Sequence, residues 1–160
     1  MLTTVFLFLA LQACSQSQTT FILVRHAEKV ADGSKDPALT TEGLLRAEKF
    51  AELFSKTNIQ EIYSTNYIRT KETVAPLAKL KELEVKPYGW KDPDQLLEKM
   101  INEHQGHTIV ISGHSNTTPV LANLLLGKEQ FSQFDDSDYS NILVITTSKL
   151  GEGKLIHLSF

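Results

Sequence analysis

The chain has one cysteine, Cys14, so no structural disulfide can form within it. It has no basic stripe either. Its 16 Lys and Arg are dispersed among 19 Asp and Glu for a net charge of −3, which argues against a nucleic-acid surface and means that any anion site must be local. The uncharged apolar run Val5 to Leu11 is too short to span a bilayer. No H-x-x-x-H or C-x-x-C spacing occurs and the five histidines are scattered, so neither a metal site nor a cofactor is expected. There is no internal repeat. What remains is 160 residues, 41% hydrophobic, enough to bury one core of ordinary size in one domain.

The first 20 residues differ from the rest. The apolar run is followed by Leu11-Gln12-Ala13-Cys14 and then by the polar stretch Ser15 to Thr20. This arrangement resembles a bacterial lipoprotein signal, in which the cysteine becomes the lipid-bearing first residue of the mature chain. The expectation is a signal peptide over 1–13, lipidation at Cys14, a flexible tether over 14–20 and a folded domain over 21–160. The protein is then exported to the cell envelope or periplasm and held at the membrane by that lipid. A cleaved secretory signal is the plainer alternative, and it too exports the domain.

Beyond residue 20, short apolar runs alternate with helical spacings. Phe21 to Val24, Glu61 to Ser64, Val85 to Tyr88 and Thr108 to Ser112 read as strands. Between them a helix capped by a threonine at Thr40-Thr41 carries Leu44, Ala47, Ala51 and Phe54 inward, and further helices follow over Tyr67–Leu80 and Asp94–His104. Another runs from Asn116–Pro119 to Gly127. Asn141–Thr147 and Lys154–Phe160 form a closing hairpin through Gly151-Glu152-Gly153. Strands alternating with helices predict a three-layer α/β/α sandwich around a mostly parallel sheet.

Two histidines stand directly after such strands, His26 beside Arg25 and His114 beside Gly113. Ligands of parallel sheets bind beyond the carboxyl ends of the strands, so both imidazoles should reach one crevice although they are far apart in the chain. A helix amino terminus after His114 offers unpaired N–H groups, and a guanidinium clamps phosphate oxygens through two hydrogen bonds. A neutral imidazole in such a pocket can attack phosphorus while the cations stabilise the equatorial oxygens. Neighbouring arginines disfavour the protonated ring and so keep it nucleophilic.

These residues lie in four ordered motifs that resemble those of the histidine phosphatase superfamily, the phosphoglycerate-mutase-like group. Leu23-Val24-Arg25-His26-Ala27-Glu28 is similar to its R-H-G/A motif and Leu39 to Gly43 to its L-T-x-x-G. Tyr63 to Thr73 is similar to Y-S-S-P-x-x-R-A-x-x-T, and Gly113-His114-Ser115-Asn116 to G-H-x-x. The resemblance spans about residues 21 to 127. It implies that His26 is the phosphorylated nucleophile, that Arg25 and Arg69 bind the phosphate, and that His114 completes the pocket as a hydrogen-bond donor. It further implies the phosphoglycerate-mutase-like fold. Asn66 and Thr70 replace the commoner proline and alanine, at positions whose side chains the chemistry does not need.

The short gap between Arg69 and His114 leaves little room for the insert with which the family's mutases cover their substrate and supply an acidic proton donor. Asp92 and Asp94 are the candidate donors by position, with Asp92 preferred. Short relatives of this type include phosphohistidine phosphatases, whose leaving group needs no strong acid. The expected function is a metal-independent phosphatase acting through a phosphohistidine on His26, on a phosphorylated small molecule or phosphoprotein. The alternatives are a phosphoglycerate-mutase-type phosphoryl transfer and a non-catalytic envelope receptor for phosphorylated ligands. Glu28 either orients Arg25 or another pocket side chain or pairs with Lys29, and His104, His107 and His157 read as solvated or packed. Thr73 and Ser64 cap or pack, and Ser115 and Asn116 offer a helix cap or backbone N–H groups.

Overall fold

The computed structural model describes residues 17–160, so Cys14 and the 1–13 segment lie outside the described residues. In chain order the elements are β1 (Thr19–Arg25), α1 (Thr41–Leu53), β2 (Glu61–Ser64), α2 (Ile68–Lys81), β3 (Val85–Pro87), α3 (Pro93–Glu103), β4 (Thr108–Gly113), α4 (Thr117–Leu126), β5 (Asn141–Thr147) and β6 (Lys154–Ser159). They build one six-stranded sheet in the order β3-β2-β4-β1-β5-β6. The four strands from β3 to β1 are parallel, and β5 and β6 are added antiparallel as the closing hairpin. Among the described residues no helix is long and apolar enough to cross a membrane.

Successive side chains of a strand point to opposite faces, so a continuously apolar strand feeds two cores. Phe21 and Leu23 of β1, with Ile109 and Ile111 of β4, pack under Leu97 and Met100 of α3 and Leu121 and Leu125 of α4. Ile22 and Val24, with Val110 and Ile62, pack on the other face under Phe50 of α1 and Val74 and Leu77 of α2. The result is the three-layer α/β/α sandwich.

Three local expectations are corrected. The first strand starts at Thr19 rather than Phe21, so Thr19 and Thr20 belong to the sheet. Thr19 is fully buried, pairs with Thr147 of β5, and donates its hydroxyl to the His104 carbonyl at 3.0 Å. Polar side chains are thus drawn into the sheet by backbone pairing that hydropathy does not report. Leu44 is exposed, and the inward face of α1 is Gly43, Ala47, Phe50 and Ala51. Glu28 pairs with neither Arg25 nor Lys29. The Arg46 guanidinium takes its carboxylate side-on, with Nε donating at 2.8 and 2.9 Å.

The approach of the first turn of α1 follows from the glycine. Thr40 caps the helix by accepting from the Gly43 N–H at 3.0 Å, and its own N–H donates to the Glu28 carbonyl at 2.8 Å. A Cβ at Gly43 would press into that carbonyl, so the glycine lets the helix start against the loop that follows His26. Gly43→Ala is therefore expected to destabilise the fold by about 1–3 kcal/mol. Leu44→Ala, at an exposed position, should cost less than about 0.5 kcal/mol. Urea-unfolding midpoints check the pair, and equal losses would refute this packing.

Candidate active site

The register of the parallel strands fixes where the chemistry falls. Arg25 lies opposite Gly113 and Ser64 opposite Ser112, so the residues that leave the sheet at one edge of the molecule are His26, Thr65 and His114. The His26 N–H still donates to the Gly113 carbonyl at 2.9 Å, and the Thr65 N–H to the Ser112 carbonyl at 3.3 Å. The two imidazoles meet edge to face with ring centroids 5.5 Å apart. Gly113 has to be small because a Cβ there would lie 2.9 Å from the hydroxyls of Thr117 and Thr118 and 3.1 Å from that of Tyr88.

Arg25, His26, Arg69 and His114 all line one cleft of about 430 Å³ at this end of the sheet. A larger groove of about 1010 Å³ runs over the outer faces of α1 and α2 and holds none of them. Size does not identify the site; the groups that converge in it do.

The His26 Nδ1 lies 2.8 Å from the Ala27 carbonyl, which can only accept, so Nδ1 carries the proton and Nε2 keeps its lone pair. Among the described residues no group donates to or accepts from that Nε2. Burial chiefly, then Arg25, Arg69 and His114, pull the ring's pKa down from 6.5 to about 4, against the Ala27 hydrogen bond. Burial and the same two guanidinium groups bring His114 to about 4 as well. Both imidazoles are neutral at pH 7.

Arg25 is buried, and most of its hydrogen-bonding capacity is committed. Nη1 donates to the carbonyls of Asp135 and Asp138 at 2.6 and 2.8 Å, and Nη2 donates to that of Asp136 at 3.1 Å. The guanidinium lies 4.3 Å from the centre of the Tyr139 ring. Three of its five N–H groups are thereby used, and the buried Nε has no partner. Arg69 is arranged alike. Nη1 pairs with Asp36 at 3.3 Å, the group sits 4.5 Å over the Tyr67 ring, and its buried Nε is also unpartnered. Buried donors are rarely left without an acceptor, and the two guanidinium groups that carry them both line the cleft, which suits a multivalent oxyanion.

Asp92 is not brought to this wall. It is exposed, heads α3 without capping it by its side chain, and Asp94 lines a different cavity. The carboxylate in the wall is that of Asp136, exposed and 3.7 Å from Arg25 Nη2. Sequence reasoning also missed Tyr139, Tyr67 and Asp36. They come from loops without periodicity, although Asp36 before Pro37 carried a visible turn signal. Asp36 caps α2, accepting from the Ile68 N–H at 2.9 Å. Among the described residues no group of three or more His, Cys, Asp or Glu could hold a metal ion.

Residues 21–88, rather less than half of the chain, match the family model of the histidine phosphatase superfamily (branch 1). The match supports membership of that superfamily. No curated protein matches the chain by sequence. Among solved structures, the protein histidine phosphatase SixA complexed with tungstate is similar with a TM-score of 0.70 at 16% identity, over 88% of this chain and 96% of that one. A mycobacterial glucosyl-3-phosphoglycerate phosphatase gives a TM-score of 0.72 at 13% identity, over 89% and 99%. Phosphoserine phosphatase from Entamoeba histolytica, in complex with 3-phosphoglyceric acid, gives 0.70 at 20% identity, over 89% and 97%. At these identities the likeness shows the fold, which is the phosphoglycerate-mutase-like one.

The depressed imidazoles have a measurable consequence. Between pH 6.5 and about 4 the unfolded chain binds protons that native His26 and His114 refuse, so stability falls as pH drops through that window. NMR titration should place both ring midpoints near 4, and the urea midpoint should fall from pH 7 to pH 5. A midpoint near 6.5 for either ring would contradict the burial and charge environment described here.

Proposed function

We propose that this protein is a phosphatase that hydrolyses phosphate monoesters or other phosphoryl groups by double displacement through a phosphohistidine on His26. The superfamily match and the fold indicate a phosphohydrolase. The observation that carries the finer reading is the tautomer of His26: with Nδ1–H held by the Ala27 carbonyl, the nucleophilic lone pair is left on Nε2 in a cleft with two guanidinium groups. Nε2 attacks phosphorus as the bond to the leaving group breaks and the leaving group departs with its electron pair. Water then attacks the phosphohistidine, releasing phosphate and restoring the neutral ring. Through the transfer Arg25 and Arg69 stabilise the equatorial oxygens.

The wall holds one carboxylate, Asp136, exposed beside a cation. A general acid works best when it is desolvated against the leaving group, whereas this carboxylate stands open to solvent. The substrates favoured are therefore those whose leaving group needs little acid help, such as phosphoramidates, acyl phosphates and aryl phosphates. The names of the structural neighbours, a protein histidine phosphatase and a phosphoserine phosphatase among them, are compatible with this range.

His26→Ala should reduce aryl phosphate hydrolysis by about 1000-fold or more, and wild-type protein quenched during turnover should carry acid-labile, alkali-stable phosphate. Phosphoglycerate isomerisation faster than phosphate release would favour the mutase-type reading. Intact protein that binds inorganic phosphate but hydrolyses no aryl phosphate would favour the receptor.

Location is proposed from the sequence alone: residues 1–13 act as a lipoprotein-type signal and Cys14 carries the lipid that holds the protein in the cell envelope. Metabolically incorporated palmitate should label the wild type and not Cys14→Ser. An unlabelled wild-type protein would end that part of the proposal.

A further inference from the structure

Thr70 stands where its side chain was not expected to matter, yet it is fully buried and its hydroxyl is engaged on every side. Its Oγ1 lies 3.0 Å from the Thr65 carbonyl and 3.0 Å from the Tyr67 carbonyl. Its third neighbour, also at 3.0 Å, is the Oγ1 of Thr65, itself nearly buried. The Thr65 hydroxyl in turn lies 3.0 Å from Nε2 of His114. On the far side of that ring, Nδ1 is 3.5 Å from Nη2 of Arg69, and the Tyr67 ring meets it edge-on at 5.0 Å between centroids.

The directions of these bonds follow from the geometry of the two hydroxyls and from which atoms can only accept. Carbonyl oxygens only accept, so the single proton of Thr70 goes to the Thr65 and Tyr67 carbonyls. Thr70 Oγ1 accepts from the Thr65 hydroxyl, the direction that the geometry of this pair gives, which uses the single proton of Thr65. Toward His114, Thr65 can only accept, so Nε2 must carry a hydrogen. A neutral imidazole has one, which leaves the lone pair on Nδ1, where a guanidinium N–H of Arg69 faces it.

We propose that the Thr70–Thr65 hydroxyl pair is a directional relay that holds His114 in the Nε2–H tautomer, making both threonines positioning residues for phosphoryl transfer. Neither need touch the phosphoryl group. With Nε2–H committed to Thr65, the ring is anchored by its back nitrogen and presents Nδ1 beside Arg69. When a singly protonated phosphoryl group enters, Nδ1 is the nitrogen available to accept its proton and hold it against a phosphoryl oxygen. The relay rests on the proposed phosphatase reading for its use, though the tautomer itself does not depend on it.

The test separates the two. Nitrogen-15 NMR of the wild-type protein at pH 7 should show His114 with a protonated Nε2 and an unprotonated Nδ1, whether or not the protein turns over. In Thr70→Val the Thr65 proton is freed to donate into Nε2, and the His114 tautomer should shift toward Nδ1–H. In the same variant kcat/KM for an aryl phosphate should fall about 10- to 100-fold, as expected when a pocket group is misplaced. Thr70→Ser and Thr65→Ser, which keep the hydroxyls, should restore both the tautomer and the rate. A wild-type His114 protonated on Nδ1 overturns the relay even if every variant misfolds. So does a folded Thr70→Val whose His114 spectrum and kcat/KM match the wild type. Loss of rate that the serine variants fail to restore would assign Thr70 to packing and also overturn it. A wild type that hydrolyses nothing yet shows the Nε2–H ring refutes the phosphatase and leaves the relay standing.

Discussion

The parallel pairing of β1 with β4, Arg25 against Gly113, is the constraint from which the site follows. Because the strands run the same way, their carboxyl ends coincide, and the next residue of each is a histidine. A one-residue slip would turn every side chain of β1 to the other face, exchanging the two cores and parting the imidazoles. The slip is opposed on both sides of the strand, since β1 is simultaneously paired antiparallel to β5 through Thr19–Val24. That second pairing also brings the segment before β5 across the end of β1, where its carbonyls take hold of Arg25.

How Arg25 is held decides what the cleft can attract. A buried guanidinium is costly without partners, and here the partners of its Nη groups are three backbone carbonyls and an aromatic face, with Asp136 only at 3.7 Å and exposed to solvent. Carbonyl dipoles satisfy N–H groups but do not cancel the charge as a buried carboxylate would. The field therefore remains available to an incoming dianion. The same field, acting with burial, keeps both rings unprotonated. The positive field of the cleft and the neutrality of its two rings thus share one electrostatic cause.

Much of this was legible in residues that obey simple periodicities. Phe21–Val24 and Thr108–Ser112 read as strands buried on both faces, and they are; the motifs around His26, Arg69 and His114 fall at strand ends and helix starts. What was not legible depends on contacts between segments. Helical spacing placed Ala47, Ala51 and Phe54 inward, as they are, but it could not show that Gly43 against the Glu28 carbonyl takes the place expected of Leu44. Thr19 looked like part of a polar tether because its burial comes from pairing with Thr147. Asp92 was preferred for its place along the chain, but α3 begins there and the side chain is left exposed, outside the cleft wall. Asp136 and Tyr139 belong to an irregular loop with no pattern to read.

The two imidazoles also show why sequence alone could not apportion their roles. Each follows a buried strand, each is desolvated, and each is lowered to about 4. They differ in which nitrogen is committed to the protein. A main-chain carbonyl holds Nδ1 of His26 and frees Nε2, whereas a hydroxyl that can only accept holds Nε2 of His114 and frees Nδ1. One ring of the cleft lining thereby keeps its lone pair on Nε2, and the other keeps its lone pair on Nδ1 next to Arg69. The asymmetry is made by the partners, one of them set by the backbone turn after β1 and the other by Thr65 and Thr70.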